Sequence, residues 1–158
     1  MDIYAWNVEG CVLGTKPECD MAKPKKKPSN TRANKLAPSR KYVNKIVDWC
    51  VKTYGKSKHN RDFPEIQFRK GSYMNEDPNT MAFYDDHDAV IFINKDDHQS
   101  LRTLVNSVIH EYTHYKQNMK HYDILSQYLP YNKNPLEIEA NKIARRDTKK
   151  CLREITEQ

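Results

Sequence analysis

The chain has 158 residues, a length that suits one domain with enough sequence to bury a sizeable core. Its formal net charge of +6 is uneven, because much of the excess lies between residues 16 and 41. No apolar run approaches the roughly 20 residues that a membrane-spanning helix needs, and residues 1–12 lack the pattern of a secretory signal peptide. We therefore expect a soluble, intracellular (cytoplasmic) protein, or one released by another route, with no membrane partner.

The basic segment is also rich in proline. Residues 15–38 combine Pro, Lys, Asn and Ser, and four prolines within them would interrupt any helix. This composition predicts an extended linker, so residues 1–38 form a basic N-terminal arm and residues 39–158 a compact domain. The arm could bind nucleic acid or tether the chain to a larger assembly such as a virion. A solvated linker accounts for the same charges, so both interpretations stay open.

The compact domain begins with a predicted helix, capped by Ser39 and stopped by Gly55, with apolar residues at helical spacing between them. Three short strands are expected next, at 65–69, 81–84 and 89–94. An Asp-Asp-His-Asp connection joins the last two, which favours a hairpin. Turn chemistry accounts for these acidic residues better than a cation site does.

Two further helices complete the prediction. Asp96 or Asp97 is the expected N-cap of the first, which runs to about Met119. The second opens with Asn134 at the cap and Pro135 at the first helical position, and it runs towards Arg153. The expected fold class is therefore α+β, with a small, mainly antiparallel sheet packed against helices.

The most informative motif lies in the first of these helices and reads His110-Glu111-Tyr-Thr-His114. Residues four positions apart on a helix leave the same face one turn apart, so both imidazoles can bind one ion. Glu111 lies beside them, where its carboxylate can take a proton from a metal-bound water. An apolar run precedes the motif at helical spacing, which favours a buried helix over a surface helix that carries histidine by chance.

A catalytic zinc site needs a third protein ligand and an open position. Glu137 is the preferred candidate, because it shares a face with small residues that allow close approach of the two helices, namely Ala140 and Ala144. Asn141 could then hydrogen-bond a ligand histidine. Glu137 could instead serve a capping box at Asn134. Three other candidates for the third ligand stay open, namely Glu139, His121 and Asp123.

The order of these residues, His110-Glu111-x-x-His114 followed by Glu137-x-x-Ala140-Asn141, resembles the gluzincin group of zinc metallopeptidases. Closer in size within that group are the minimal bacterial and phage peptidases of the ImmA/IrrE type, which the chain resembles. That resemblance implies a zincin-like fold, Zn²⁺ as cofactor, and His110, His114 and Glu137 as its ligands. It also implies that the strand at 89–94 forms the edge of a peptide-binding cleft.

The implied chemistry is hydrolysis of peptide bonds, with Glu111 as general base and a protein or peptide as substrate. A hydrogen-bond donor for the tetrahedral intermediate is needed as well. The residues near enough in sequence are Tyr112, Tyr115, His121, Tyr122, Tyr128 and Tyr131, and no pattern selects among them. The alternative is a structural or binding component of a larger assembly, associated with nucleic acid through its arm.

Overall fold

The computed structural model describes residues 39–70, 80–96 and 100–157, so the predicted N-terminal arm lies outside the described residues. The described residues have an α+β fold with four α-helices and a small mixed sheet. None of these helices combines the length and the apolar character that crossing a membrane requires. In chain order the elements are α1 (Arg40–Tyr54), β1 (Glu65–Arg69), β2 (Ala82–Asp85), β3 (Val90–Asn94), α2 (Leu101–Lys116), α3 (Met119–Ser126), a 3₁₀ turn (Tyr131–Lys133) and α4 (Pro135–Thr156).

Helix α1 begins and ends at the residues that its sequence predicts. The Ser39 side chain accepts a hydrogen bond from the Tyr42 N–H, which satisfies one of the unpaired donors of the first turn. Gly55 closes the helix at φ 71°, a left-handed conformation that glycine adopts without steric cost. The Lys116 ammonium then donates to the Tyr54 carbonyl at 2.6 Å, so the end of α2 is tied to the end of α1.

The sheet has the strand order β1-β3-β2, with β3 parallel to β1 and antiparallel to β2. The predicted hairpin of β2 and β3 is confirmed, and the Asp85 carboxylate accepts from the N–H groups of His87 and Asp88 in its turn. The expectation of a mainly antiparallel sheet is wrong, because one of the two strand pairs is parallel. Apolar alternation identifies a strand, but it carries no information about the direction of a neighbour that is distant in sequence.

The core lies between the sheet and helices α1, α2 and α4. All five residues of β3 are buried, as expected for a central strand. One face of the sheet, with Ile66, Tyr84, Ile91 and Ile93, joins the helices in a single apolar cluster. On the opposite face Phe83 and Phe92 pack together, and the Arg69 guanidinium lies 3.5 Å from the Phe92 ring centroid.

Helix α2 starts later than predicted. Its N-cap is Ser100, whose side chain accepts from the Thr103 N–H at 3.1 Å. Asp96 instead belongs to the turn after β3, where its N–H donates to the Asn94 side chain at 2.9 Å. The other predicted cap, Asp97, lies outside the described residues, but a helix that starts at Leu101 rules it out. Aspartate and serine are about equally good caps, so the local sequence does not separate them.

Helix α2 also ends earlier than predicted, because Gln117 has an extended backbone (φ −82°, ψ 166°). The short helix α3 follows at Met119, a residue expected to end α2. Helix α4 begins as predicted: the Asn134 side chain accepts from the Leu136 N–H at 3.0 Å, with Pro135 in the first turn. It packs more extensively against α2 than against α1.

Candidate metal centre

Two helices bring the candidate ligands together. The last turns of α2 carry His110 and His114, and the first turn of α4 carries Glu137. Both Ala140 and Ala144 are fully buried where these helices meet, as their small side chains predict. The close packing of α2 on α4 therefore positions a carboxylate opposite two imidazoles.

The three side chains converge on one point. The Nε2 atoms of His110 and His114 lie 3.0 Å apart. The carboxylate of Glu137 places Oε2 at 3.3 Å from His110 Nε2 and Oε1 at 3.4 Å from His114 Nε2. Among the described residues, this is the group of histidine and acidic side chains that are close enough to share an ion.

The donor atoms suit a metal ion. Ligand atoms bonded to a tetrahedral ion at about 2.0–2.1 Å lie about 3.3 Å from one another, close to the 3.0 Å between the two Nε2 atoms and to the distance from each Nε2 to its nearer carboxylate oxygen. Glu137 Oε2 is buried and has no hydrogen-bond partner in the described structure. A buried carboxylate oxygen normally has a partner, so a cation between this atom and the imidazoles would satisfy it.

Glu137 is held as a carboxylate. Its burial opposes ionisation, but the adjacent imidazoles of His110 and His114 and the hydroxyl of Tyr122 outweigh the burial and bring the pKa of Glu137 well below its ordinary value. The Tyr122 hydroxyl donates to Oε1 at 2.7 Å. The capping-box alternative is excluded, because the Asn134 N–H donates to the main-chain carbonyls of Pro130 and Tyr131 instead.

Gln117 orients His114. Its amide nitrogen donates to the Leu136 carbonyl and to Glu139 Oε2, both at 3.0 Å, which fixes the oxygen towards the imidazole. That oxygen lies 2.8 Å from His114 Nδ1. Because an amide oxygen only accepts, Nδ1 carries the proton and Nε2 presents its lone pair to the cluster.

The corresponding prediction for Asn141 is wrong. Its side chain donates to the main-chain carbonyl of Glu137 at 2.9 Å, one turn back on the same helix. Within the described residues, no hydrogen bond joins it to His110 or His114. An asparagine one turn after a ligand reaches its own helix backbone at least as easily as a facing imidazole.

Glu111 lies next to the cluster and lines the same cleft. Burial raises the pKa of its carboxyl group, and the neighbouring imidazoles of His110 and His114 counteract part of that effect. A hydrogen bond with the Tyr84 main chain also favours the carboxylate. A buried carboxylate whose pKa is raised has the character of a general base.

The cleft has a volume of about 710 Å³, and its walls come from β2, α2, α3, the 3₁₀ turn and α4. Among the described strands, β2 forms the sheet edge on this side. The expectation that the strand at 89–94 forms that edge is wrong, because β3 has a neighbour on each side. A strand paired on both sides has no main-chain groups left for a peptide.

The remaining candidates from the sequence are placed elsewhere. His121 and Asp123 are exposed on α3, and Glu139 is exposed and bonded to Gln117. Among the predicted hydrogen-bond donors for the tetrahedral intermediate, Tyr112 and Tyr115 are buried in the core, whereas Tyr122 and Tyr131 line the cleft. Tyr128 and His121 do not line it.

Comparison with known proteins adds no relative. No protein-family model, no curated protein and no solved structure matches the chain.

Proposed function

We propose that the protein is a zinc-dependent peptidase of the minimal gluzincin type. The observation that carries this proposal is the convergence of His110, His114 and Glu137 with the buried Glu111 beside them in one cleft. The first three residues supply two nitrogens and one oxygen, a usual ligand set for catalytic zinc. Glu111 supplies a proton acceptor that hydrolysis requires.

The same ligand set also occurs around non-haem iron, so the neighbouring groups decide between the two. Glu111 lies beside the cluster, and hydrolysis requires a base there that accepts a proton from the attacking water. Zinc held by His110, His114 and Glu137 would lower the pKa of a water ligand and polarise the carbonyl under attack.

The chain's own residues would perform the proton transfers. Glu111 accepts a proton from the attacking water and then donates it to the leaving amine, so the carboxylate returns to its starting state. Gln117 keeps the proton of His114 on Nδ1. Tyr122 restrains the Glu137 carboxylate through its hydroxyl.

Tyr131 is the tyrosine that we assign to the developing oxyanion. It lines the cleft and is 62% exposed. Tyr122 lines the cleft too, but its hydroxyl donates to Glu137 Oε1 at 2.7 Å, whereas the Tyr131 hydroxyl, which also neighbours Glu137 and Asn141, belongs to the more exposed side chain. A hydroxyl that can turn towards the carbonyl oxygen stabilises the charge that forms there.

A peptide substrate would pair with strand β2. The Met81 carbonyl accepts from the Asn94 N–H, and hydrogen-bonded pairs alternate along an antiparallel ladder. The main-chain N–H and C=O of Ala82 and the C=O of Tyr84 are therefore directed away from β3, towards the cleft, whereas the Tyr84 N–H donates to Glu111. Main-chain pairing of this kind gives affinity with little demand on side chains.

The test is metal analysis of the purified chain, followed by hydrolysis of a mixed peptide library by the wild type and by Glu111→Gln. We expect Glu111→Gln to keep stoichiometric zinc and to lose activity by about 10²- to 10⁴-fold, the usual contribution of a general base. Undiminished turnover in this variant would refute the mechanism. Stoichiometric zinc without cleavage of any peptide by the wild type would favour a binding role instead.

A further inference from the structure

The cleft continues beyond the metal cluster along α4. A second hollow of about 700 Å³ shares Tyr131, Glu137 and Asn141 with the first and extends to Lys142 and Arg145. Glu137 and Arg145 lie eight residues apart on the helix, a distance of about 12 Å at 1.5 Å per residue. An extended peptide covers that distance with three or four residues.

The two parts of this groove differ in chemistry. Near the cluster, Ile138 is 53% exposed and Tyr131 62% exposed, so the wall there is largely apolar. At the far end, Lys142 and Arg145 are exposed, and neither forms an ion pair with any described carboxylate. The acidic residue in the lining is Glu137, which is buried against the imidazoles.

We infer that Lys142 and Arg145 select acidic substrates by binding an aspartate or glutamate side chain two to four residues from the scissile bond. This inference rests on the proposed peptidase function, because the position of the cluster defines where the scissile bond lies. A carboxylate at that distance meets two cations, while the preceding residues of the peptide cover Tyr131 and Ile138. Peptides with a positive charge at that position would be repelled by the same two cations.

An acidic peptide fits this groove better than a nucleic acid does. Because the two cations lie at one end of an apolar wall, the matching occupant has an apolar segment followed by an acidic group. A phosphate backbone would engage the solvent face of α4 more widely, including Lys149, Lys150 and Arg153, which are exposed but outside the groove.

The experiment uses the full, zinc-loaded chain and a quenched fluorescent peptide that it cleaves. Glutamate is placed at the second, third and fourth position from the scissile bond, on each side in turn, and compared with glutamine at the same position. Two exposed ion pairs correspond to roughly a 2- to 30-fold preference in kcat/KM, and this preference should fall as salt is raised. In Lys142→Gln/Arg145→Gln the glutamate-to-glutamine ratio should fall to about one.

The matched control is Lys149→Gln/Lys150→Gln, which makes the same change in charge on the same helix outside the groove and should keep the wild-type ratio. Cleavage without any preference for glutamate would overturn the inference and leave the peptidase assignment intact. Equal loss of the ratio in both double variants, together with tight binding of a labelled DNA oligonucleotide, would overturn it in favour of a polyanion surface.

A binding measurement separates this inference from the peptidase assignment. In the Glu111→Gln background, fluorescence anisotropy should show tighter binding of the glutamate peptide, and the tightening should disappear with Lys142→Gln/Arg145→Gln. Selective binding without turnover by the wild type would support the groove and refute the peptidase. Equal binding of both peptides would refute the groove, whatever the turnover.

Discussion

Replacing Gln117 by methionine tests how the site is held together. Gln117 is 8% exposed, and its side chain joins three groups: His114 Nδ1 on α2, the Leu136 carbonyl at the start of α4, and the Glu139 carboxylate. Methionine has nearly the same length but neither donates nor accepts in this way. The substitution therefore removes all three hydrogen bonds while it keeps most of the packing.

The expected loss of metal affinity follows from the role of the amide. Partners that orient a ligand imidazole usually contribute about 10- to 100-fold to metal affinity, or about 1.4 to 2.7 kcal/mol. The apoprotein should also lose stability, because the hydrogen bond from the Gln117 amide to the Leu136 carbonyl is lost, at a cost of about 0.5–1.5 kcal/mol. Gln117→Glu keeps an acceptor for the imidazole proton, so it should bind zinc more tightly than Gln117→Met.

The assay is competition for zinc against a chromophoric chelator at fixed pH, with urea unfolding of each apoprotein measured separately. Gln127→Met is the matched control, since Gln127 is exposed after α3 and its side chain contacts none of the ligands. Affinities within twofold for the wild type and both Gln117 variants would refute the reasoning. Lower stability of Gln117→Met with unchanged affinity would show that the residue only joins the helices.

Three further predictions concern other contacts of the same domain. Glu137→Ala should weaken zinc binding by more than tenfold, whereas Glu139→Ala should weaken it by less than Gln117→Met does. The reverse order of the two alanine variants in the chelator assay would show that Glu137 is not the carboxylate that binds the metal. Tyr131→Phe should lower kcat by about 10²- to 10³-fold at unchanged zinc content, with Tyr128→Phe as the silent control in the same peptide assay. Tyr54→Phe removes a hydroxyl that donates a hydrogen bond to a carboxylate of α4, so it should lower the free energy of unfolding measured in urea by about 1 kcal/mol. Tyr128→Phe is again the control and should leave this free energy unchanged.

The elements that sequence reasoning predicts well are those with a local signal at each end. Ser39 and Gly55 bound α1, and Asn134 with Pro135 opens α4, because capping depends on the side chain at one position. The predicted start of α2 was wrong because several adjacent residues could cap the helix. Which of them does so depends on how the chain leaves β3. The prediction of strand direction was wrong for a related reason. Strand β1 pairs with β3, which is not the next strand in the chain, and β2 lies on the other side of β3.

At the site, the spacing within one helix predicts the two histidines, and the cap of α4 places Glu137 on a rigid first turn. The residues that orient these groups were missed, because their partners lie on other elements. Gln117 stands three residues after His114, a spacing that makes two side chains neighbours on a helix, but the sequence does not show that α2 ends there and that α4 fixes the amide. The extended backbone at Gln117 both ends the helix and directs its amide to the imidazole, so one local conformation fixes the helix boundary and the tautomer of the proposed ligand.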